Sequence, residues 1–177
     1  IIGVLLVVIG ILVIFFNINY SKLRTDFTSQ ANKLIAESVV NEEVFTEEDF
    51  KLLPELMANH YIKCGYVGKP KMSYMKINFK NVPFSLGMDK PNVKIDYYQY
   101  NFKEGYNRIA FIDTKMFTIP FQGYDSYLDG VGSMKGVLGK IVTLFNQKGD
   151  SMDRACLVTY LSEIVVFPVA ALDSNIS

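Results

Sequence analysis

The pattern of apolar and polar positions divides the chain into three parts. Residues 1–16 form an unbroken apolar run without a charged or polar side chain. Between Ser21 and Val40, apolar residues recur at steps of three and four, which is the period of a helix with one buried face. From Lys71 onward, apolar and polar residues alternate, which is typical of strands with one buried face. The pattern therefore predicts an apolar N-terminal helix, an amphipathic helix and a domain that contains a sheet.

Residues 1–20 are predicted to anchor the protein in a membrane. At ~1.5 Å per residue, sixteen apolar residues span roughly 24 Å as a helix, slightly less than a hydrocarbon core of about 30 Å. The alternatives are a cleaved signal peptide and a buried core helix. No small-residue cleavage site follows Phe16, and a helix that is apolar all round suits lipid better than a half-exposed position.

We therefore expect a single-pass membrane protein whose residues 1–18 contact the lipid bilayer. The chain begins at Ile1 without an initiator methionine, so we expect further residues upstream. Lys22 and Arg24 follow the apolar run, but orientation depends on the charges of both flanks. The side of the membrane on which the domain lies is left open.

Residues 21–45 are predicted to form a helical stalk or linker, and residues 46–177 an α+β domain. A surface helix packed on the domain is an equally good interpretation of the amphipathic segment. At the start of the domain, Thr46 is placed to cap a helix. Pro54 suits the first turn of the next helix, and Gly65 suits its end.

Short runs of alternating or apolar residues, separated by short turns, predict an antiparallel sheet. A helix capped by Ser151 and extending to about Val166 is predicted to follow it. The predicted fold class is α+β, with an N-terminal transmembrane helix followed by a curved antiparallel sheet packed against helices. The predicted strands are residues 75–80, 93–102, 108–113, 126–128 and 137–145.

The composition excludes several classes of function. Lys plus Arg and Asp plus Glu each number 18, so there is no net charge to attract nucleic acid. One histidine and two cysteines in separate elements supply neither a catalytic triad nor a set of metal ligands. We therefore predict no catalytic residues, no metal, no cofactor and no nucleic-acid partner. The spacing of Cys64 and Cys156 leaves a disulfide open, although two buried free thiols are the commoner outcome.

The glycine-rich segment at residues 130–136 does not match a nucleotide-binding motif. It lacks both the G-x-G-x-x-G spacing and the Gly-Lys-Ser/Thr of a P-loop. We expect its glycines to permit a tight turn or a bulge between strands.

Aromatic side chains supply the predicted ligand site. The chain has 13 Phe, 11 Tyr and no Trp. A curved sheet covered by a helix encloses an apolar concavity, which is the usual position of a ligand. We therefore predict a membrane-tethered domain that binds a lipid or another apolar ligand and catalyses no reaction. The predicted ligand-binding residues are Tyr97, Tyr100, Phe111, Asp125, Tyr127 and Glu163.

Two alternatives to ligand binding are retained. The first is a hydrolase-like envelope enzyme, which requires Asp125, Asp129 or Glu163 to converge in a cleft. The second is a structural or partner-binding module, which requires a domain without a cavity and with an open strand edge.

Several stretches of the domain resemble an uncharacterised bacterial family. The pattern Asp-Ser-Tyr-x-x-Gly-x-Gly occurs at residues 125–132, and Tyr-Leu-x-Glu-x(4)-Pro at residues 160–168. Together with residues 108–116, they resemble the domain-of-unknown-function family of type 6544 or 6920, over about residues 53–172. The resemblance implies a membrane-anchored domain without established activity, and it carries no catalytic residues over. It also implies that further C-terminal strands are missing from this sequence.

Overall fold

The computed structural model describes residues 2–85, 87–89 and 91–176. It contains six α-helices, six strands and two short 3₁₀ turns within these residues, and it confirms the predicted α+β class. The helices are α1 (Ile2–Asn17), α2 (Lys22–Glu37), α3 (Glu47–Lys51), α4 (Glu55–Lys63), α5 (Asp150–Ser162) and α6 (Pro168–Ala171), with 3₁₀ turns at Glu104–Tyr106 and Ile164–Val166. The strands are β1 (Tyr74–Phe84), β2 (Val93–Phe102), β3 (Arg108–Met116), β4 (Ile119–Leu128), β5 (Val131–Leu138) and β6 (Val142–Lys148).

The six strands form one antiparallel sheet in the order in which they occur in the chain. One bulge interrupts β1 between Phe79 and Val82, and another lies in β6 at Leu144, opposite Gly136 and Val137 of β5. Among the described residues β1 and β6 do not pair with each other, so the sheet is open. The β1–β2, β3–β4 and β5–β6 turns therefore lie at one end of the sheet, which we call the tip end.

Two of the local predictions are wrong. Residues 137–145 are not one strand, because Gly139 and Lys140 have φ angles of 59° and 65° and form the turn between β5 and β6. Ser151 does not cap α5, since Gly149 occupies the N-cap position, where glycine has no side chain to offer. The expected glycine turn is confirmed in part: Asp129 and Gly130 form the positive-φ turn between β4 and β5, whereas Gly132 and Gly136 lie within β5.

Helix α2 packs along one face of the sheet, here called the α2 face. Its apolar stripe, which includes Leu23 and Phe27, is buried there. The Phe27 ring stacks on Phe111 with 5.5 Å between centroids and lies 6.0 Å from Tyr100. Burying one such side chain stabilises the fold by about 1.5–3 kcal/mol. Of the two roles considered for this segment, the structure describes the packed one, while the division into domains stays a prediction.

The short helices form a second core beside the sheet. Thr46 and Asp49 form a capping box at the start of α3, which confirms the predicted helix start. Phe45 and Phe50 stack with ring centroids 5.5 Å apart. The Tyr61 hydroxyl donates a hydrogen bond to the carbonyl of Ile164, 2.5 Å away, and so ties α4 to the segment that follows α5.

Helix α5 packs on the opposite face of the sheet, here called the α5 face. A Cβ atom on Gly132 would lie 2.5 Å from the carbonyl oxygen of Met152, so glycine is required for this close approach. The Gly132 N–H donates to Asp153 Oδ1 at 2.7 Å and fixes the start of the helix against β5.

Helix α1 leaves the domain as an exposed apolar rod. None of its residues, Ile2–Asn17, is buried. The helical region of residues 2–37 contains an 18-residue window of mean hydropathy 2.7, which is long and apolar enough to span a membrane. A core helix of a soluble protein would be mostly buried, and this window is not.

Candidate functional site

The α5 face carries a buried polar cluster centred on Arg108. The Arg108 guanidinium donates from Nη1 to Asp125 Oδ2 at 2.7 Å and from Nε to Glu163 Oε2 at 3.0 Å. It also donates to the Tyr97 hydroxyl. Gln99 and Asn101 donate to the same Glu163 oxygen at 2.5 and 2.8 Å. We call these residues the Arg108 cluster: Tyr97, Gln99, Asn101, Arg108, Asp125 and Glu163.

The electrostatics of this cluster suit a structural role. Arg108 is 2% exposed. Burial alone would lower its pKa, but Tyr97, Asp125 and Glu163 outweigh that effect and leave the pKa raised. Of the buried side-chain nitrogen and oxygen atoms that the structure describes, just two lack a hydrogen-bond partner, and neither belongs to the cluster. Glu163 directly follows α5, so its hydrogen bonds to Gln99, Asn101 and Arg108 join the end of the helix to β2 and β3. Arg108 extends the connection to Asp125 of β4.

The carboxylates named for an enzyme do not form a catalytic pair. Asp125 and Glu163 converge, but each is ion-paired with Arg108. Asp129 lies at the β4–β5 turn, where its N–H donates to Asn107 Oδ1 at 2.8 Å. Within the described residues, no three His, Cys, Asp or Glu side chains are grouped so that they could hold a metal ion.

The cysteines offer no nucleophile in this cluster either. Both are free thiols, and Cys64 is exposed, so the expectation of two buried thiols holds for Cys156 alone. The Cys156 thiol donates to Asp125 Oδ1 at 3.5 Å. Burial raises its pKa to about 12, with the Asp125 carboxylate adding to the effect. A thiol held neutral in this way is unreactive at neutral pH.

Toward the tip end, the same face opens into an apolar cavity of about 290 Å³. We call this cavity the apolar groove. Thr114 is its one polar side chain, and the Thr114 hydroxyl donates to the carbonyl of Lys94 at 2.6 Å, so it does not need a ligand. The groove is lined by Phe84, Val93, Ile95, Ile112, Thr114, Met116, Phe121, Met134, Leu144 and Phe145.

Strand register explains why the groove lies on the α5 face. Alternate residues of a strand share a face, so Ile112 lies on the same side as Arg108, and Phe121 on the same side as Asp125. Helix α5 covers the half of the face that carries Arg108 and leaves the tip half open. A second recess of about 410 Å³ adjoins the groove along β1 and β2 and shares Phe84 and Ile95 with it. Tyr97 lines this recess and also binds Arg108.

The six residues predicted to bind a ligand are divided between the two faces. Tyr97, Asp125 and Glu163 meet in the Arg108 cluster. Tyr127 lies on the same face, where burial, with Asp153 and then Cys156 adding to it, raises its pKa.

Tyr100 and Phe111 lie instead on the α2 face, in contact with Phe27. The six residues therefore do not line one pocket, and their role in ligand binding stays a prediction.

Sequence reasoning missed most of the groove residues. A signal for them exists along one face of β2, where Val93 and Ile95 are apolar and Gln99 and Asn101 are polar. Such a switch within one face marks the point where the surroundings of a strand change. This change from apolar to polar residues could not be interpreted from the sequence, because both faces of β2 are partly apolar and neither could be assigned to the interior.

The tip end of the sheet adjoins the end of α1. The Lys140 ammonium, in the β5–β6 turn, donates to the carbonyls of Phe15 and Ile18 at 2.7 and 2.6 Å. Lys115, near the end of β3, donates to Asn17 Oδ1 at 3.1 Å. Large apolar side chains are exposed on all three turns at this end: Met88, Phe117 and Ile141.

Residues 43–177 match the family model described as "Family of unknown function (DUF6544)". The matched region contains the whole sheet and α3–α6, and it confirms the resemblance seen in the sequence patterns. No curated protein and no solved structure matches the chain.

Proposed function

Because the chain belongs to DUF6544, a family of unknown function, we propose a function from its geometry: a membrane-tethered domain that holds the acyl chain of a lipid in the apolar groove. The observation that carries this proposal is that the groove lies at the tip end, where two hairpins bond to the last turn of α1. If α1 spans the bilayer, the groove lies beside the membrane surface.

The groove supports the proposal because its lining is apolar and its volume suits a ligand. Cavities of about 300–1,000 Å³ are typical of ligand sites, and the groove and its adjoining recess measure about 290 and 410 Å³. Each methylene group moved from water into such a site gains about 0.8 kcal/mol. Eight methylenes would contribute roughly 6 kcal/mol before the costs of ordering the chain.

The tip end supports the proposal because it suits a membrane surface. Phe117 is 96% exposed at the β3–β4 turn. Inserting this aromatic ring into the interfacial region of a bilayer would cost little free energy. Lys115 and Lys140 lie at the same end of the sheet, where anionic headgroups would attract them if α1 spans the bilayer.

The alternatives fit the structure less well. The enzyme alternative required carboxylates free in a cleft, and Asp125 and Glu163 both form ion pairs with Arg108. The partner-binding alternative required an open strand edge without a cavity. The described residues show open edges at β1 and β6 together with the groove, which favours a ligand.

Native mass spectrometry of the full chain, purified in a non-ionic detergent, tests the proposal. We expect the protein to carry about one co-purified lipid. The double variant Met116→Lys/Leu144→Lys places two charges in the groove and should lose that lipid, with at least tenfold lower occupancy.

The matched control is Val40→Lys/Val158→Lys, which changes two exposed valines outside the groove and should keep the lipid. A wild-type protein that carries no lipid, or a groove variant that keeps its lipid, would reject the proposal.

A further inference from the structure

A second cavity, of about 370 Å³, lies where the end of α1 meets the sheet. We call it the junction cavity. In contrast to the apolar groove, it is polar, and it is bounded by Phe16 to Asn19 at the end of α1, by Arg24 of α2 and by side chains of β2, β3 and β4. Its polar side chains belong mostly to cations and amides: Asn17, Asn19, Arg24, Asn81, Lys94, Lys115, Gln122 and Lys140, with Asp96, Asp113 and Thr114.

The charges around the junction cavity do not balance. Asp113 is ion-paired with Arg24, and Asp96 is ion-paired with Lys80. Lys94, Lys115 and Lys140 also line the cavity, and none of them forms a salt bridge with a residue that the structure describes. Three cations around one cavity therefore form no ion pair with a described carboxylate.

Two residues that line the junction cavity carry the two buried side-chain nitrogen and oxygen atoms that lack a hydrogen-bond partner in the described structure. These atoms are Arg24 Nε and Gln122 Oε1, both buried. Gln122 is 2% exposed as a whole residue. Leaving one such atom without a hydrogen bond costs about 1–3 kcal/mol. A donor and an acceptor that both lack partners, on two residues that line one cavity, favour a ligand that both accepts and donates hydrogen bonds.

We propose that the junction cavity binds a phosphate ester. Phosphate oxygens would accept hydrogen bonds from Arg24 Nε and neutralise the lysines, which approach from β2, β3 and the β5–β6 turn. A hydroxyl or ammonium group on the other side of the ester would donate to the Gln122 amide. The ester could come from a phospholipid headgroup or from a free metabolite, and the chemistry that recognises it is the same.

The electrostatic surroundings of Lys140 favour the binding of an anion. Burial lowers the pKa of its ammonium group, Asp113 opposes this shift, and Arg24 and Lys115 add repulsion. A phosphate beside Lys140 would raise the pKa of its ammonium group again, because a nearby negative charge favours the charged form.

The proposal stands apart from the lipid groove. Gln122 pairs with Asp113 across β3 and β4, and Asp113 binds Arg24 of α2, so these contacts of the cavity lie on the α2 face. The groove lies on the α5 face. Either site could therefore bind its ligand without the other.

Calorimetric titration of the full chain in dodecyl maltoside, which contains no phosphate, tests binding of the free ester with glycerol 3-phosphate as the probe. Native mass spectrometry tests the lipid source by offering phosphatidic acid and diacylglycerol, which share acyl chains and differ in the phosphate. We expect one of the two phosphate esters to bind. Diacylglycerol retained equally well, with no glycerol 3-phosphate binding, would overturn the proposal and leave the groove intact.

The double variant Lys94→Gln/Lys115→Gln removes two of the three unpaired charges from exposed positions and should weaken phosphate binding at least tenfold. Gln122→Glu, which puts a carboxylate in the cavity, should weaken it as well. The control Lys63→Gln/Lys148→Gln removes two exposed lysines outside the cavity and should change the affinity less than twofold. Equal affinities for wild type and the Lys94/Lys115 variant would overturn the proposal.

Discussion

The two halves of the α5 face are made from the same strands and reverse the usual distribution of polarity. Beneath α5, the sheet buries charge, with Arg108 between Asp125 and Glu163. Beyond α5, the same strands line an open apolar groove with side chains that include Ile112 and Phe121. Soluble domains usually bury apolar residues and expose polar ones. Helix α5 is therefore held by a specific polar network, and the half that it leaves open is suited to an apolar partner.

The largest expected effect comes from breaking the network in the closed half. Arg108→Leu leaves Asp125 and Glu163 partly buried without their cation, and we expect it to destabilise the domain by about 3–5 kcal/mol. Arg154→Leu, at an exposed position on α5, is the control and should change stability by less than about 0.5 kcal/mol. Urea unfolding followed by near-ultraviolet circular dichroism measures both. A loss below about 1 kcal/mol for Arg108→Leu would show that the network does not hold α5.

Two glycines of β5 give a matched test of how tightly each half is packed. A Cβ on Gly132 would meet backbone atoms of Met152, whereas a Cβ on Gly136 would meet the ring of Phe145, a side chain that borders the groove and can rotate. We expect Gly132→Ala to cost about 1–3 kcal/mol and Gly136→Ala clearly less. The same unfolding measurement compares the two variants. Equal losses would mean that the groove half is packed as rigidly as the closed half.

Tyr97, where the two halves meet, predicts a dependence on pH. Burial raises its pKa to about 12, Arg108 opposes the shift, and Asp125 and Glu163 add to it. The folded state therefore binds the phenol proton more tightly than the unfolded chain. This contribution to stability is complete below about pH 10 and is lost as the pH rises toward 12.

Tyr97→Phe should accordingly lose stability less steeply than wild type between pH 9 and about 11.5, as measured by urea midpoints. Other tyrosines titrate in the same range, so the difference between the two slopes is the informative quantity. Tyr20→Phe, an exposed tyrosine outside the sheet, should follow the wild-type slope. Parallel slopes for Tyr97→Phe and wild type would contradict the prediction.

The smallest expected effect concerns the open half. Met116→Lys changes an exposed side chain of the groove and should alter the free energy of unfolding by less than about 0.5 kcal/mol. A small change in the free energy of unfolding for Met116→Lys, beside a large one for Arg108→Leu, would show that the groove is a surface and not a core. A loss of more than about 2 kcal/mol would indicate that the groove is filled by part of the protein itself.

Local features of the fold were predictable because they depend on neighbouring residues. The capping box of Thr46 and Asp49 and the period of β2 follow from the sequence. The error at residues 137–145 arose because apolar residues on both sides of Gly139 resemble one continuous strand. Nothing in the local pattern reveals that Gly139 and Lys140 take positive φ angles there.

The candidate sites were less predictable because they depend on distant contacts. Tyr97 and Tyr100 both belong to β2, and which of them meets α2 is decided by Phe27, far away in sequence. The junction cavity depends on Lys140 reaching Phe15, 125 positions earlier. Periodicity identifies the faces of a strand, but it does not identify the element that covers each face.

The order of the strands has a consequence for how the protein is made. Among the described residues, each strand pairs with the strand before or after it in the chain, so each hairpin can close soon after it leaves the ribosome. Helix α2 is synthesised before the first strand, and its apolar stripe offers the growing sheet a surface on which to assemble. Assembly in this order would leave few unpaired strands waiting for a late partner, and that limits misfolding during synthesis.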